Sequence, residues 1–524
     1  MSEPVFVVAD PICVRARLMA TLLLLAALSA CENEPLPSAD VSSQLISNVI
    51  IIDGTGAARR EGTVRFLGAE IIDVGDLEAL SGEPVIDGGG LVLVPGFIDT
   101  HSHADSELFD QPGALAAVSQ GITTVVVGQD GRSPFPLLNF RFRLMENPVA
   151  INVAAYSGHN SLREHVLGEQ YQHAASEPES SVMSQFLRED LQAGALGLST
   201  GLEYDPGIYS SIDEVIALAK VAASHGGRYI SHVRSEDRWF EQAIDEIIEI
   251  GREADIPVQI SHFKLAMTRL WGRAPEFLAK LDAARAEGID ITADLYPYEY
   301  WQSGMMVLLP ERDITDRAEV EFALREIAPP DGFWFTQFDP NPDYVGKTLV
   351  EVADIRGTDP VTAFMSLIAE SEAIQMETGE GADMIIATSM REEDIKILMA
   401  WPHSNIGSDG SLDDLHPRGI GTFPRILGRY VREQSLMSLE EAIHKMTGLS
   451  ALHMGFEKRG VIEAGAAADF VLFDPDTVLD NATPQNPGAI SSGIEKVWVN
   501  GRIVFENGQE TGRRPGRFIA RPDL

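Results

Sequence analysis

Eight short apolar runs divide the middle of the chain, and each run ends at a polar residue. Those residues are His101 with His103, Asp130, His159, Thr200, His232, His262, Tyr296 and Asp409. Stretches with helical patterning separate the runs, as in the segment 240–254. Short strands that alternate with helices are typical of βαβ units, which assemble a parallel sheet. The middle of the chain is therefore predicted to be an α/β domain.

The spacing of the runs favours one architecture. His232 and His262 are 30 residues apart, and a (β/α)8 barrel of about 250 residues has a repeat of about 31 residues. Eight strands favour a closed, TIM-like (β/α)8 barrel over an open doubly wound sheet. The polar residues at the carboxyl ends of the strands are then expected to converge on one mouth.

The two ends of the chain have a different pattern. Short apolar runs broken by glycine occupy residues 44–95 and 458–515, and they are typical of strands. The two segments are predicted to form one small β-sandwich domain, which leaves residues 96–457 for the barrel. Residues from about 300 to 390 are too many for one barrel loop, and we expect a lid-like insertion over the mouth.

The charge of the chain excludes some partners. Of 524 residues, 79 are Asp or Glu and 40 are Lys or Arg, which gives a net charge of −39. So acidic a surface repels nucleic acid and anionic lipid headgroups. We expect no nucleic-acid partner and contact with a membrane only through a lipid anchor. The sequence does not indicate the oligomeric state.

That anchor is expected from the first 31 residues, which resemble a lipoprotein signal peptide. Two arginines precede a short apolar run that ends in Leu-Ser-Ala before Cys31, and the run is too short to span a bilayer as a mature helix. We expect cleavage before Cys31, lipidation of its thiol and a flexible tether over residues 32–43. The protein would then be exported and lipid-anchored on the periplasmic side of a bacterial membrane. A plain secretory signal or a short buried helix is the alternative, and translation is expected to start at Val14 or Met19.

The pair His101 and His103 has the spacing of a metal site. Residues two apart in a strand point to the same face, and two imidazoles on one face can bind one metal ion. The pair follows the apolar run 91–94 and a Pro95-Gly96 step that allows a bend in the strand. The alternative is that both are ordinary polar residues of a turn.

Four further strand-end residues add to the pair, namely Asp130, His232, His262 and Asp409. Each has a structural alternative, because a lone histidine is usually hydrogen-bonded and a lone aspartate after a strand usually caps a helix. Together the six match a single-metal or binuclear hydrolase site, where the metal lowers the pKa of a bound water. An aspartate at the metal can move the proton to the leaving group.

Longer motifs surround these residues. They span 95–103, 121–128, 194–201, 231–234, 260–264, 294–298, 407–410 and 416–418, and Gly460-Val461-Ile462 follows later. With them the chain resembles the amidohydrolase superfamily, and within it the D-aminoacylase, or N-acyl-D-amino-acid deacylase, family. The resemblance runs from about Ser47 to Pro515.

The resemblance implies roles for these residues. It implies that His101 and His103 bind one metal ion, that His232 and His262 bind another, and that Asp409 is both a ligand and the general base. The cofactor it implies is Zn²⁺, as one or two ions, with Mn²⁺ or Co²⁺ as alternatives.

The resemblance also implies a substrate pocket lined by Lys264, Tyr296 and Arg418. Arg418 would bind the α-carboxylate of the substrate through two parallel hydrogen bonds. The alternative for Lys264 and Arg418 is a solvated surface charge.

The chain departs from its family at one ligand. The family has a cysteine in a Gly-Asn-Cys-Gly turn after the second strand, whereas this chain has Gly128-Gln129-Asp130-Gly131. Asp130 can bridge two metals through its two oxygens, and as a harder ligand it favours Zn²⁺, Mn²⁺ or Co²⁺ bound by oxygen and nitrogen. No lysine follows the fourth strand, so a carboxylated lysine is not expected.

The strand-end residues and the resemblance together predict a metal-dependent hydrolase, and the resemblance implies that it cleaves the amide of N-acyl-D-amino acids or related small D-amino-acid amides. One alternative is a cyclic-amide hydrolase similar to dihydroorotase or hydantoinase. The other is a metal-binding lipoprotein without catalysis, which would not need Asp409 as a proton acceptor. The acyl group, the side chain and the preference for D or L substrates are not indicated.

Overall fold

The computed structural model describes residues 42–521. The predicted signal peptide, Cys31 and residues 32–41 of the predicted tether lie outside the described residues, so those expectations stay predictions. Within residues 42–521, no helix has both the length and the apolar character needed to cross a membrane.

The strands are numbered here in chain order. The first five are β1 (Gln44–Ile51), β2 (Arg60–Leu67), β3 (Glu70–Gly75), β4 (Val85–Asp87) and β5 (Val92–Pro95). Next come β6 (Phe97–Asp99), β7 (Ile122–Val127), β8 (Asn152–Ala155), β9 (Ser157–Gly158), β10 (Gly197–Gly201), β11 (Arg228–His232), β12 (Val258–Ile260) and β13 (Ile291–Leu295). The last are β14 (Tyr300–Ser303), β15 (Phe333–Phe338), β16 (Asp383–Thr388), β17 (Ser404–Ile406), β18 (Phe470–Phe473), β19 (Ile494–Val499), β20 (Arg502–Glu506) and β21 (Gln509–Glu510).

The α-helices lie mostly between the strands of the middle region. They are Leu115–Val118, Leu137–Glu146, His159–Leu167, Glu177–Gln192, Ile212–Ala223, Phe240–Ala254, Ala274–Ala286, Arg317–Glu326, Leu349–Arg356, Pro360–Thr378, Glu392–Ala400, Arg418–Arg425, Leu439–Met446 and Gly448–Met454. A π-helix, Ile426–Glu433, continues Arg418–Arg425. The helix predicted over 240–254 is confirmed with the same bounds, and it buries Ile244, Ile247 and Ile248.

Strands from both ends of the described chain form one sheet. Its order is β21-β20-β19-β18-β5-β1-β2-β3, with β4 beside β1. The two ends meet where β18 pairs antiparallel with β5. A separate apolar cluster, which includes Phe66, Phe470 and Trp498, packs on this sheet.

The chain passes from this sheet to the barrel at Gly96. β5 pairs with β18, whereas β6, one residue further on, pairs parallel with β7. A Cβ atom at Gly96 would lie 2.1 Å from the Thr123 hydroxyl oxygen, so a larger residue would push the two strands apart. The apolar run before His101 is therefore two strands in two sheets, where the sequence predicted one strand with a bend.

The parallel strands form a ring. Three of them pair in the order β6-β7-β8, and six pair in the order β17-β13-β12-β11-β10-β9. Only Tyr156 separates β8 from β9, and its N–H donates to the Val127 carbonyl. On the other side, Ser102 after β6 forms a parallel bridge with Gly410 after β17. The three-stranded and the six-stranded parallel sheets are thus joined at both edges, as a (β/α)8 barrel requires.

The segment between β13 and β17 forms a small layer of its own. β14, β16 and β15 make an antiparallel sheet with β16 in the centre. Phe333, Phe335 and Phe364 are buried between this sheet and its helices. This layer falls within the range predicted to be an insertion.

Candidate metal centre

Two histidines that follow β6 point into one cluster with two aspartates. His101 is fully buried, and its Nε2 lies 3.5 Å from Asp130 Oδ1 and 3.5 Å from Asp409 Oδ1. His103 Nε2 lies 3.3 Å from Asp130 Oδ2 and 3.2 Å from Asp409 Oδ1. We call His101, His103 and Asp409 the HxH lobe of the cluster.

Two more histidines reach the same cluster from neighbouring strands. His232 ends β11, and His262 follows β12. His232 Nδ1 lies 3.0 Å from His262 Nε2, and the latter atom lies 3.3 Å from Asp130 Oδ1. We call His232 and His262 the two-strand lobe. Asp130 contacts both lobes, one oxygen facing His101 and His262 and the other facing His103.

Three carboxylates contact the ring nitrogens of His232, His262 and His101 that point away from the cluster. Glu203 lies 2.9 Å from His232 Nε2, and Glu236 lies 2.9 Å from His262 Nδ1. Asp294 lies 3.4 Å from His101 Nδ1. A carboxylate on one ring nitrogen keeps the proton there and leaves the lone pair of the other nitrogen free to bind a metal. The other ring nitrogen of each of these histidines faces the cluster. Asp294 lacks hydrogen-bond geometry to His101 Nδ1, and Lys264 Nζ also lies 2.7 Å from His262 Nδ1.

The loops that carry the aspartates have an unusual backbone. Asp130 lies three residues after β7 and Asp409 three residues after β17. Their φ angles are 52° and 53°, and that of His262 is 35°. Residues other than glycine rarely adopt this left-handed region of backbone conformation unless surrounding contacts impose it. One such contact comes from the Gln129 amide, which donates to the Thr100 and Val126 carbonyls.

The charge states differ within the cluster. Burial would lower the pKa of His103, but its hydrogen bonds to Asp130 and Asp409 raise it to about 10. Burial alone would raise the pKa of Asp130, but the charges of His101 and His262 outweigh it and hold the pKa well below its usual value. The pKa of Asp409 is likewise held low, against burial, chiefly by Arg418. Burial lowers the pKa of His232 to about 4. Ionised carboxylates and neutral imidazoles are the forms that bind metals, so a metal bound by His101 and His103 would displace their protons.

The cluster also contains buried polar atoms that no protein group satisfies. Asp130 Oδ1 and His101 Nε2 are buried and lack a hydrogen-bond partner within the described residues. Such atoms are rare in folded proteins and call for an ion or a water. The nitrogen and oxygen donors fit Zn²⁺, Mn²⁺ or Co²⁺. The residues present therefore fit a divalent metal, with Asp130 in place of a thiolate.

The three predicted substrate residues lie beside the cluster. Arg418 pairs with Asp409 Oδ2, and Lys264 Nζ lies 2.6 Å from Glu236 Oε1. Both cations are at most 6% exposed, so the alternative of a solvated surface charge is wrong. Arg418 and Lys264 stack over the Tyr296 ring, at 4.9 and 5.7 Å. Tyr296 itself lines a small neighbouring cavity with Lys264.

A cavity of about 500 Å³ opens over the cluster. Lys264 and Arg418 line it, together with His103, Asp130 and Asp409. The segment between β13 and β17 supplies another part of its wall, including Trp301, Leu308, Ile327 and Met384. The volume lies in the range typical of small-molecule sites.

Sequence reasoning missed Glu203, Glu236 and Asp294 as part of this site. A signal was present, because Asp294 lies in a predicted strand and the two glutamates follow strand ends within four residues. The strand-end histidine His159 lies elsewhere. It pairs with Glu214, which also binds Arg163, in a separate buried group.

The six residues predicted as ligands thus lie together in one cluster. Their binding of metal stays a prediction, as do the roles of Lys264, Tyr296 and Arg418 toward a substrate.

A family model named "Amidohydrolase family" matches residues 84–321 and 346–505. Two curated relatives come from Alcaligenes xylosoxydans xylosoxydans. An N-acyl-D-glutamate deacylase is 38% identical over 500 residues, covering 90% of this chain and 95% of the relative. A D-aminoacylase is 35% identical over 502 residues, covering 91% and 97%.

Two solved structures have similar folds. One is the N-acyl-D-glutamate deacylase of Bordetella bronchiseptica with zinc and a phosphonate inhibitor, which has a TM-score of 0.81 and 36% identity and covers 91% of this chain and 100% of that chain. The other is a D-aminoacylase described as having a binuclear metal centre, with a TM-score of 0.80 and 35% identity, covering 91% and 99%. The predicted fold class is confirmed by these matches. A dihydroorotase of Bacillus licheniformis matches over only 99 residues, or 18% of this chain, at 37% identity.

Proposed function

Because the chain belongs to the amidohydrolase family, we propose that it is a metal-dependent hydrolase that removes the acyl group from N-acyl-D-amino acids. It acts on a carbon–nitrogen bond other than a peptide bond. The full-length relatives that support this are an N-acyl-D-glutamate deacylase and a D-aminoacylase. The cyclic-amide alternative has weaker support, because the dihydroorotase match covers a small part of the chain.

One observation carries the proposal, the position of Asp409 between the histidines and Arg418. Asp409 Oδ1 faces His101 and His103, while Oδ2 contacts the Arg418 guanidinium at the cavity. A residue with this reach can take a proton from water at the cluster and deliver it to the nitrogen of a substrate held by Arg418. A binding protein without catalysis has no need of such a group.

In the proposed reaction the chain supplies orientation and proton transfer. Arg418 and Lys264 bind the α-carboxylate of the substrate, and the Tyr296 ring keeps the two cations in place. Asp409 accepts the proton of the attacking water and gives it to the departing amine. A divalent metal held by the histidines and Asp130 would activate that water and polarise the amide carbonyl.

We further propose Zn²⁺ as the resident metal, in one or both lobes. The zinc-bound relative structure supports this choice, as does the donor set of imidazoles and carboxylates. Since Asp130 is a harder ligand than a thiolate, Mn²⁺ and Co²⁺ are expected to support activity as well.

The decisive assay uses the purified protein with N-acyl-D- and N-acyl-L-amino acids in the presence of added Zn²⁺. We expect release of free amino acid from the D series, with little from the L series, and loss of the activity after dialysis against a strong chelator. Hydrolysis of dihydroorotate or hydantoins alone would overturn the proposal.

We also propose that the protein is a periplasmic lipoprotein. The support is the arginine-led apolar run ending at Cys31. Mass spectrometry of membrane-extracted protein should find a diacylglycerol adduct on Cys31. A soluble protein with another mature N-terminus would contradict this.

A further inference from the structure

Four polar side chains lie inside the barrel next to the cluster, where barrels of this fold usually bury branched apolar residues. Thr100 follows β6, and Gln259, Asp294 and Asn405 lie on β12, β13 and β17. None of the four is more than 3% exposed. The Asn405 amide donates to Gln259 at 3.1 Å across the strand between them, so both side chains point into the barrel. We call these four residues the polar layer.

Asp294 connects the polar layer to the cluster through three hydrogen bonds. Its Oδ2 accepts from the Gln259 amide at 2.8 Å, and its Oδ1 accepts from the backbone N–H of His262 at 2.7 Å. Its own backbone carbonyl accepts from the N–H of Phe263, also at 2.7 Å. Asp294 therefore holds the peptide groups on both sides of His262.

These bonds act on a backbone that needs support. The φ angle of His262 is 35°, which lies in the left-handed region that residues other than glycine adopt only when surrounding contacts impose it. The same backbone sets the position of the ring, whose Nε2 lies 3.3 Å from Asp130 and whose Nδ1 lies 2.9 Å from Glu236. A relaxed backbone at residue 262 would turn Nε2 away from the cluster.

The neighbours of Gln259 decide which end of its amide faces Asp294. Gln259 Oε1 accepts from Thr292 Oγ1 at 3.0 Å and from the Asn405 amide at 3.1 Å. Nε2 is thereby left to donate to Asp294. Asn405 is fixed in turn, because its Oδ1 accepts from Thr100 Oγ1 at 2.7 Å. Without the donor from Gln259, the buried carboxylate would lose one of its hydrogen bonds and with it part of its fixed orientation.

We propose that Gln259 is a positioning residue for the metal centre and acts through Asp294 on the backbone of His262. Gln259 fixes the carboxylate, the carboxylate fixes the backbone, and the backbone directs His262 Nε2 into the two-strand lobe. The inference rests on the proposed function, since it takes the cluster to hold a metal. It adds a residue that reaches a metal ligand through another side chain.

The test measures the Zn²⁺ affinity of the metal-depleted full chain by competition with a chromophoric chelator, for the wild type, Gln259→Met and Gln259→Asn. Methionine has nearly the length of glutamine but cannot donate to Asp294. Asparagine keeps the amide but is one methylene too short to reach it. In both variants the affinity for the tighter-bound ion should fall by about tenfold, the lower end of the effect of outer partners of metal ligands.

Thr292→Val is the matched control. It removes a hydroxyl that is bonded to Gln259 Oε1 and leaves the bond from Gln259 to Asp294 in place. Its thermal unfolding should move to lower temperature, as in the Gln259 variants, but it should bind Zn²⁺ as the wild type does. An equal loss of affinity in Thr292→Val would show that the polar layer acts through general packing, and would overturn the inference.

Two further outcomes separate the inference from the proposed function. Wild-type Zn²⁺ affinity in Gln259→Met or Gln259→Asn would overturn the inference and leave the proposed function standing. If the wild type itself binds no Zn²⁺, the proposed function fails and the inference with it.

Discussion

The two lobes of the cluster differ in how firmly their histidines are held. In the two-strand lobe, His232 and His262 each have a carboxylate 2.9 Å from the outer ring nitrogen. In the HxH lobe, Asp294 lies 3.4 Å from His101 without hydrogen-bond geometry. The side chain of His103 is 34% exposed.

This difference assigns the lobes different tasks. Outer carboxylates fix the orientation of metal-binding histidines and strengthen binding, so the two-strand lobe is expected to bind its metal more tightly. The HxH lobe contains Asp409 and borders Arg418, so it lies where substrate and proton must meet. We therefore expect the two-strand lobe mainly to hold metal and the HxH lobe mainly to carry out chemistry.

The largest expected effect comes from Asp409→Asn. The amide keeps an oxygen at the HxH lobe but cannot accept the proton, so kcat should fall by roughly two to four orders of magnitude. The two-strand lobe does not include Asp409, and metal analysis should still find at least one ion per chain. Activity within a few-fold of the wild type would show that another group takes the proton.

A smaller effect is expected from Glu203→Gln, which replaces the carboxyl group hydrogen-bonded to His232 with an amide. The metal affinity of the two-strand lobe should fall by about 10- to 100-fold, measured by competition with a chromophoric chelator. Glu246→Gln is the matched control, since Glu246 pairs with Arg234, two residues after His232, and no histidine is among its hydrogen-bond or ion-pair partners within residues 42–521. Equal metal affinities in Glu203→Gln and Glu246→Gln would show that the carboxyl group beside His232 does not strengthen metal binding, and the two lobes would then not differ in the way described.

The smallest of these effects is expected from Arg418→Lys. A lysine keeps the charge but cannot form two parallel hydrogen bonds, so KM should rise by about tenfold, with less change in kcat. The methyl ester of the substrate has no carboxylate for Arg418 to bind, so the wild type should show a similar rise in KM with the ester. If the acid and the ester have equal kinetics, Arg418 does not bind the α-carboxylate.

Much of the barrel could be predicted because its signals are local. The helix 240–254 shows its buried face in the spacing of its isoleucines. Asp130 and Asp409 were identifiable because each follows a short apolar strand. For the helix and for the two aspartates, a few residues close together in the sequence are enough to make the prediction.

The remaining features depend on contacts between distant segments. The break at Gly96 reflects the closeness of Thr123, and no periodicity in 91–99 shows it. Glu203, in the loop after β10, meets His232 at the end of the adjacent strand β11, and the path of a loop does not follow from a repeat. The burial of Lys264 and Arg418 likewise depends on carboxylates elsewhere in the chain.

Both lobes depend on Asp130, which contacts His101, His103 and His262. The most direct test of the account is metal per chain after dialysis against a weak chelator, measured with activity for the wild type, Asp130→Ala and Asp130→Cys. Asp130→Ala should lower metal content and activity together. Asp130→Cys should restore binding and favour Zn²⁺, because a thiolate is the softer ligand. Unchanged metal content and activity in Asp130→Ala would contradict the account and leave Asp130 a structural residue.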